Sequence, residues 1–210
     1  RIQRGGRMKS FWCAIKSEVV KLRHTPIFLL HIIVPLLGGV LFAMYFHLYS
    51  GQQSITQRLN LILQATSAFF PLAISIAVSL GINLEEEGHF QALFVGMESK
   101  SKLIIAKLIL FLGIGAVAIV ILFLPILFSV AVVDQELSIS VLNTVLYSYV
   151  YIILGNIVTY IIHFWLSLKS GLGASVITGV LESLIVILFS NLPLKLVISW
   201  EYIPWAWAVN

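Results

Sequence analysis

Long apolar runs alternate with short polar stretches along most of this chain. Five of the runs are long enough for a helix that crosses a bilayer, which takes about 20 residues. A tight turn at residues 169–173 separates the last two runs. The pattern predicts an all-α integral membrane protein, a polytopic helical bundle with five spans in this chain and a sixth expected beyond Asn210. The predicted spans cover residues 26–49, 59–84, 103–133, 141–168 and 172–192.

The segment before the first span has a different pattern. Residues 8–24 place apolar and basic side chains with helical spacing, which predicts an amphipathic helix lying in the plane of the lipid headgroups. Residues 1–7 precede the first methionine and are set aside as a cloning remnant or an upstream extension, which leaves residues 25–210 as a single transmembrane domain. One arc of the helix holds Phe11, Trp12, Ile15, Val19 and Leu22, of which Phe11 and Trp12 are the expected interfacial anchors.

Composition supports the membrane assignment. The mean hydropathy is +1.02, and only 10% of the residues are charged, against about 25% in an ordinary soluble domain. So few charges cannot cover the surface of a soluble protein of this length, so lipid must cover much of it. The formal net charge of +4 does not indicate nucleic-acid binding, because the basic residues lie at the ends of the apolar runs.

The positions of lysine and arginine predict the orientation. Eight of these residues lie on the side of the N-terminus and two on the opposite side, so the N-terminus is predicted to be cytoplasmic. The aromatic residues near the C-terminal end then lie outside the cell, where Trp and Tyr rings favour the headgroup region. These further expected anchors are Trp200, Tyr202, Trp205 and Trp207.

Residues 85–102, the most polar stretch of the chain, connect the second and third spans on the predicted cytoplasmic side. The stretch opens with three carboxylates, which favour a helix start through the helix dipole. Apolar side chains on one helical face follow, and such a face can insert into a groove of a soluble partner. The alternative is a solvated loop whose aromatic rings dip into the interface. The candidate contact residues are Glu85, Glu86, Glu87, Gly88, Phe90, Leu93, Phe94 and Met97.

Glu182 lies near the middle of the fifth span. A carboxyl group at that depth is costly and therefore marks a candidate functional site. The alternative is a neutral glutamic acid that hydrogen-bonds to another helix, with Asn156 or His163 of the fourth span as its expected partner. The five histidines lie far apart on different segments, so no metal site is predicted.

The order of these features resembles the permease subunit of type-2 ABC exporters, in the lantibiotic-immunity branch. A basic amphipathic helix precedes the first span, and the second span ends in the pattern E-x-x-G from Glu85 to Gly88. A short apolar helix follows, and Lys107 lies at the start of the third span. The stretch SEVVKLR at residues 17–23 resembles that family's entry into span one, and YIPW at residues 202–205 resembles its outer segment before span six.

The resemblance covers nearly the whole chain from Met8 and implies a transport subunit. Such a subunit removes an antimicrobial peptide of lantibiotic type from the membrane and so gives self-protection or resistance. The sequence has no G-x-x-x-x-G-K-[ST] loop to bind phosphates, so the chain is expected to be no enzyme and to hold no cofactor. ATP and Mg are then bound by a separate cytoplasmic ABC ATPase.

The resemblance also implies the remaining partners and the location. The expected partners are a second permease, either the same or a homologous chain, a peptide or other amphiphilic substrate, and the lipid bilayer. The expected location is the bacterial plasma membrane, crossed several times, with the N-terminus in the cytoplasm.

Two other classes of protein remain as alternatives. Glu85 and Glu86 resemble the glutamate pair of the intramembrane CAAX-type proteases. That family has an arginine four residues after the second glutamate, where this chain has Phe90. It also requires histidines on later helices within the membrane, and only His163 is available. The third interpretation is a non-transporting membrane scaffold or receptor subunit.

Overall fold

The computed structural model is helical over most of the residues that it describes. It describes residues 2–23, 25–49, 54–87, 100–133, 135, 137–191 and 204–205. No strand occurs among these residues. The helices are α1 (Ile2–Arg23), α2 (Pro26–Leu48), α3 (Ile55–Glu87), α4 (Lys100–Phe128), which continues into a π-helical turn (Ser129–Val133), and α5 (Ile139–Asn191).

Helices α2 to α5 are long and apolar enough to cross a membrane by length and composition. Helix α5 is broken at Gly171, where φ is 78° and ψ is −176°, a conformation that glycine alone adopts readily. The chain reverses there, because His163 before the break contacts Glu182 after it. In one continuous helix these two residues would be about 28 Å apart. Helix α5 is therefore a helical hairpin, and its halves match the predicted fourth and fifth spans.

Buried apolar side chains form two cores at opposite ends of the bundle. The first core joins the C-terminal parts of α2 and α4 to the N-terminal parts of α3 and α5. The second joins α1 and the N-terminal parts of α2 and α4 to the C-terminal part of α3 and the middle of α5. Successive helices must therefore run in opposite directions, as successive membrane crossings do. Members of the first core include Phe46, Leu59, Ile126 and Val141, and members of the second include Leu22, Ile27, Val78, Phe111 and Tyr160.

Glycine allows two pairs of helices to approach closely. Gly39 of α2 lies against the carbonyl oxygen of Leu122 in α4, and a Cβ at that position would have no room. Gly179 in the second half of α5 lies in the same way against Ser75 and the Pro71 carbonyl of α3. Helix α2 is thereby held on α4, and the α5 hairpin on α3.

Helix α1 begins earlier than predicted, and the side that it packs into the bundle includes Glu18. It begins at Ile2, so it includes most of the residues that the sequence set aside. Ala14, Glu18 and Leu22 are buried in the bundle, whereas Trp12 is 59% exposed. The predicted apolar arc is thus divided between the two sides of the helix. The inward side also includes Glu18, whose carboxylate pairs with Lys21 and Lys107. The position of α1 in the headgroup plane stays a prediction.

Candidate coupling site and intramembrane polar cluster

Four charged side chains from three helices meet at one end of the bundle. Lys21 Nζ of α1 donates hydrogen bonds to Glu18 Oε1 at 2.8 Å and to Glu85 Oε1 of α3 at 2.9 Å. Lys107 Nζ of α4 donates to the same Glu85 oxygen at 2.8 Å. We call Glu18, Lys21, Glu85 and Lys107 the ion network. It links α1 to the end of α3 and the start of α4, the two places where the chain enters and leaves the predicted coupling segment.

The centre of the ion network is buried. Glu18 is 2% exposed and Lys107 is 4% exposed. Lys107 Nζ also lies 3.1 Å from Glu18 Oε2 as an ion pair, although that oxygen accepts no hydrogen bond within the described part of the chain. Two carboxylates and two ammonium groups balance in charge. Removing a buried member such as Lys107 would leave a buried charge uncompensated, which typically costs about 3–5 kcal/mol.

Helical spacing explains how the three elements present these groups. Glu18 and Lys21 are three residues apart on α1 and so share a face. Glu85 lies one turn after Gly81 on α3, and Lys107 Nζ reaches both, since it also donates to the Gly81 carbonyl oxygen at 3.2 Å. The ion network therefore depends on the register of α3 against α4 as well as on charge.

Lys21 connects the ion network to solvent, with its side chain 35% exposed. Its partial burial acts to lower the pKa, but hydrogen bonds to Glu18 and Glu85 and the charges of both carboxylates outweigh that effect. The pKa of Lys21 is therefore raised above its usual value. The amine stays protonated at physiological pH, so the contact between α1 and α3 does not titrate there.

The structure describes part of the predicted coupling segment. Glu85 belongs to the ion network, Glu86 is exposed, and Glu87 is the last residue of α3. Hydropathy reasoning missed the participation of Glu18 and Lys21; the available signal was an acid and a base one turn apart beside a span. The other predicted contact residues lie outside the described part of the chain: Gly88, Phe90, Leu93, Phe94 and Met97.

A second polar cluster lies within α5. His163 Nδ1 is 3.0 Å from Ser175 Oγ, and His163 Nε2 is 3.0 Å from Glu182 Oε2. We call His163, Ser175 and Glu182 the hairpin clasp. All three side chains are buried. The expected pairing of Glu182 with His163 is present, and such a contact requires a proton between the two atoms, because each is otherwise an acceptor.

The hairpin clasp has the order of groups found in a serine–histidine–acid triad, but its setting favours a structural role. A nucleophilic serine must face its substrate and an oxyanion site, whereas Ser175 is completely buried. Ser175 and Glu182 also lie on one face of the same helix, so a single imidazole fixes two turns of it. A hydrogen bond of 2.8 Å between Ser79 and Ser167 attaches α3 to the hairpin.

Asn156, the other expected partner of Glu182, is buried but does not join the hairpin clasp. Its Nδ2 makes no hydrogen bond within the described residues. Asn156 follows Gly155, against which the backbone of Pro204 and Trp205 packs. Residues 204–205 thus lie halfway along the first half of α5, which differs from the helix end expected for an interfacial ring. The other predicted anchors of that region lie outside the described residues: Trp200, Tyr202 and Trp207.

Comparison with known proteins adds no relative. No protein-family model, no curated protein and no solved structure matches this chain. No group of three or more His, Cys, Asp or Glu side chains that could hold a metal ion occurs in the part of the chain that the structure describes. The class of protein therefore rests on the fold: an all-α membrane protein built as a helical bundle.

Proposed function

We propose that this chain is the membrane-spanning permease subunit of an ATP-driven exporter of the type-2 ABC class. The observation that supports this most is the position of Glu85. It lies in the last turn of α3, is the first residue of the predicted coupling segment, and is bonded to Lys21 of α1 and Lys107 of α4. One residue of the segment thus contacts two other helices at this end of the bundle.

An exporter of this class must receive mechanical work from a separate ATPase. A permease changes conformation only if the ATP-bound and ATP-free partners favour different arrangements of it, and the difference must pass through physical contacts. A displacement of the coupling segment would move Glu85. The short bonds to Lys21 and Lys107 would carry that displacement to α1 and α4.

The substrate and partners follow from the resemblance. The proposed substrate is a membrane-inserted antimicrobial peptide of lantibiotic type, and its removal gives self-protection or resistance. The proposed partners are a cytoplasmic ABC ATPase, which binds ATP and Mg, and a second permease that is the same or a homologous chain. The proposed location is the bacterial plasma membrane, with the N-terminus in the cytoplasm.

The alternative of an intramembrane protease fits the ion network less well. A catalytic glutamate of such an enzyme must activate water or hold a metal. Both bonds of Glu85 Oε1 go to lysine ammonium groups, while Glu86 is exposed at the end of α3. A non-transporting scaffold has no need of a buried, charge-balanced link between α1, α3 and α4.

The test is a reconstitution of the chain with its ATPase in a sensitive host. Replacing Phe90 and Phe94 by Asp should abolish resistance to a purified lantibiotic and reduce co-purification of the ATPase, while the amount of protein in the membrane is unchanged. A double replacement at exposed positions of α5, Leu146 and Leu154 to Ala, serves as the control. Full resistance and undiminished ATPase binding in the Phe90 and Phe94 variant would exclude this coupling element.

A further inference from the structure

We propose that the outward face of α1 binds anionic lipid headgroups. This face consists of Trp12, Lys16, Val19 and Arg23, which lie within an arc of about 60° on the helix. All four are exposed, Trp12 at 59% and Val19 at 41%. The face therefore combines a large amphipathic ring and an apolar side chain with two cations.

No acidic side chain offsets the positive charge of this face. Glu18 is the one acidic residue in residues 11–23, and it is turned into the bundle, where Lys21 and Lys107 neutralise it. The outward face is consequently left with the positive charges of Lys16 and Arg23. Position 18 also lies about 130° around the helix from the centre of this face, so its acid does not offset the two cations there.

The neighbouring helix indicates that this face lies beside lipid headgroups. Helix α2 begins at Pro26, directly after α1, and is apolar enough to span a membrane. Its first turn already exposes Phe28 and Leu29, so hydrocarbon begins about one turn beyond Arg23. Basic side chains at that level gain free energy from an anionic leaflet, and the Trp ring favours the same region.

Cys13 makes a direct test feasible. It is the one cysteine of the chain, it is exposed, and it adjoins the outward face of α1. A fluorescent donor attached to Cys13 of the full-length protein in lipid nanodiscs can report energy transfer to trace acceptor-labelled phosphatidylglycerol or phosphatidylcholine. We expect stronger transfer to phosphatidylglycerol, and the excess should fall as salt is raised.

Three variants test whether the preference for phosphatidylglycerol depends on the charges of Lys16 and Arg23. Lys16→Gln with Arg23→Gln should weaken the apparent preference for phosphatidylglycerol by on the order of tenfold. The charge-retaining Lys16→Arg with Arg23→Lys should keep the preference. Lys169→Gln, which removes an exposed charge at the turn of the α5 hairpin, should also keep it.

Two outcomes would overturn the proposal. One is equal transfer to both lipids in the unaltered protein, and the other is an unchanged preference after Lys16 and Arg23 are neutralised. If the neutralised variant instead keeps its lipid preference but loses co-purification with the ATPase, the face is a protein contact and the lipid proposal is wrong. The lipid assay contains no ATPase and no peptide, so its result is independent of the proposed transport function.

Discussion

The ion network and the hairpin clasp both bury carboxylates in an apolar bundle, but they neutralise them differently. In the ion network Glu18 and Glu85 share two lysine ammonium groups across three separate helices. In the hairpin clasp Glu182 meets one imidazole of the same hairpin. The first arrangement joins elements that are distant in sequence, whereas the second closes a local reversal of the chain.

This difference suits the two sites to different roles in the proposed transporter. A charge-balanced network among three helices breaks if any one of them moves alone, so it couples the three. The contact between His163 and Glu182 leaves the rest of the bundle free and fixes only the two halves of α5 against each other. We therefore propose that the ion network serves coupling and that the hairpin clasp serves rigidity.

The largest expected effect is in cysteine labelling, which is all-or-none. It shows on which side of the membrane the ion network lies. In a Cys13→Ser background, cysteines at Ser54 and Ser138 should react with an impermeant thiol reagent added to intact cells, because both positions are exposed at the predicted outer end. A cysteine at Ser170, exposed at the α5 turn, should react only after the cells are opened. The reverse pattern would place the ion network outside and remove it from contact with an ATPase.

The next effect is on stability and separates the ion network from an ordinary surface ion pair. Lys107→Met should lower the apparent free energy of unfolding by about 3–5 kcal/mol, because it leaves Glu18 and Glu85 buried with Lys21 alone. Lys21→Met should cost less, since Lys21 is partly exposed and its pairs are screened by solvent. Thermal unfolding in detergent measures both. Equal losses for the two variants would contradict the burial argument.

A moderate effect is expected where glycine permits close packing between helices. Gly179→Leu should destabilise the contact between α3 and the α5 hairpin by about 1–3 kcal/mol, as overpacking does. Gly39→Leu should do the same between α2 and α4. Gly113→Leu is the matched control, because its Cβ position has no neighbouring heavy atom within 4 Å. If Gly113→Leu lowers the stability as much as the other two variants do, the close contacts at Gly39 and Gly179 are not the cause of the loss.

The smallest expected effect is on stability, and it tests whether the hairpin clasp has a structural role. Glu182→Gln keeps a hydrogen-bonding group beside His163, so the loss of stability should stay below about 1 kcal/mol. Glu182→Leu leaves His163 Nε2 unpaired and should cost about 1–3 kcal/mol. The unfolding curves of the two variants measure both losses of stability. If Gln proves as damaging as Leu, a carboxyl group itself is required and the clasp has a chemical rather than a structural role.

The sequence predicted the spans and the hairpin because both depend on local patterns. Apolar runs of the right length mark the helices, and the polar turn at residues 169–173 marks the reversal at Gly171. The pairing of Glu182 with His163 was foreseen because a buried carboxyl needs a partner and His163 lies on the preceding span.

The ion network was not foreseen because it depends on the rotation of α1. The apolar arc around Trp12 and Val19 suggested which side of α1 faces the membrane. It did not show that Glu18, on another side of the helix, pairs with Lys107 of α4. Hydropathy along one helix carries no information about a cation contributed by another helix. The rotation of α1 that places Glu18 inside the bundle depends on contacts with other helices. It therefore cannot be predicted from any local stretch of the sequence.

The most direct test of the central claim compares Glu85→Gln with Glu182→Gln at matched membrane levels. The measurement is peptide-stimulated ATP hydrolysis by the chain reconstituted with its ATPase. Glu85→Gln should uncouple hydrolysis from the peptide, the exchanged pair Glu85→Lys with Lys107→Glu should recover part of the stimulation, and Glu182→Gln should retain nearly all of it. Normal stimulation in Glu85→Gln, or its loss in Glu182→Gln alone, would contradict the assignment of coupling to the ion network.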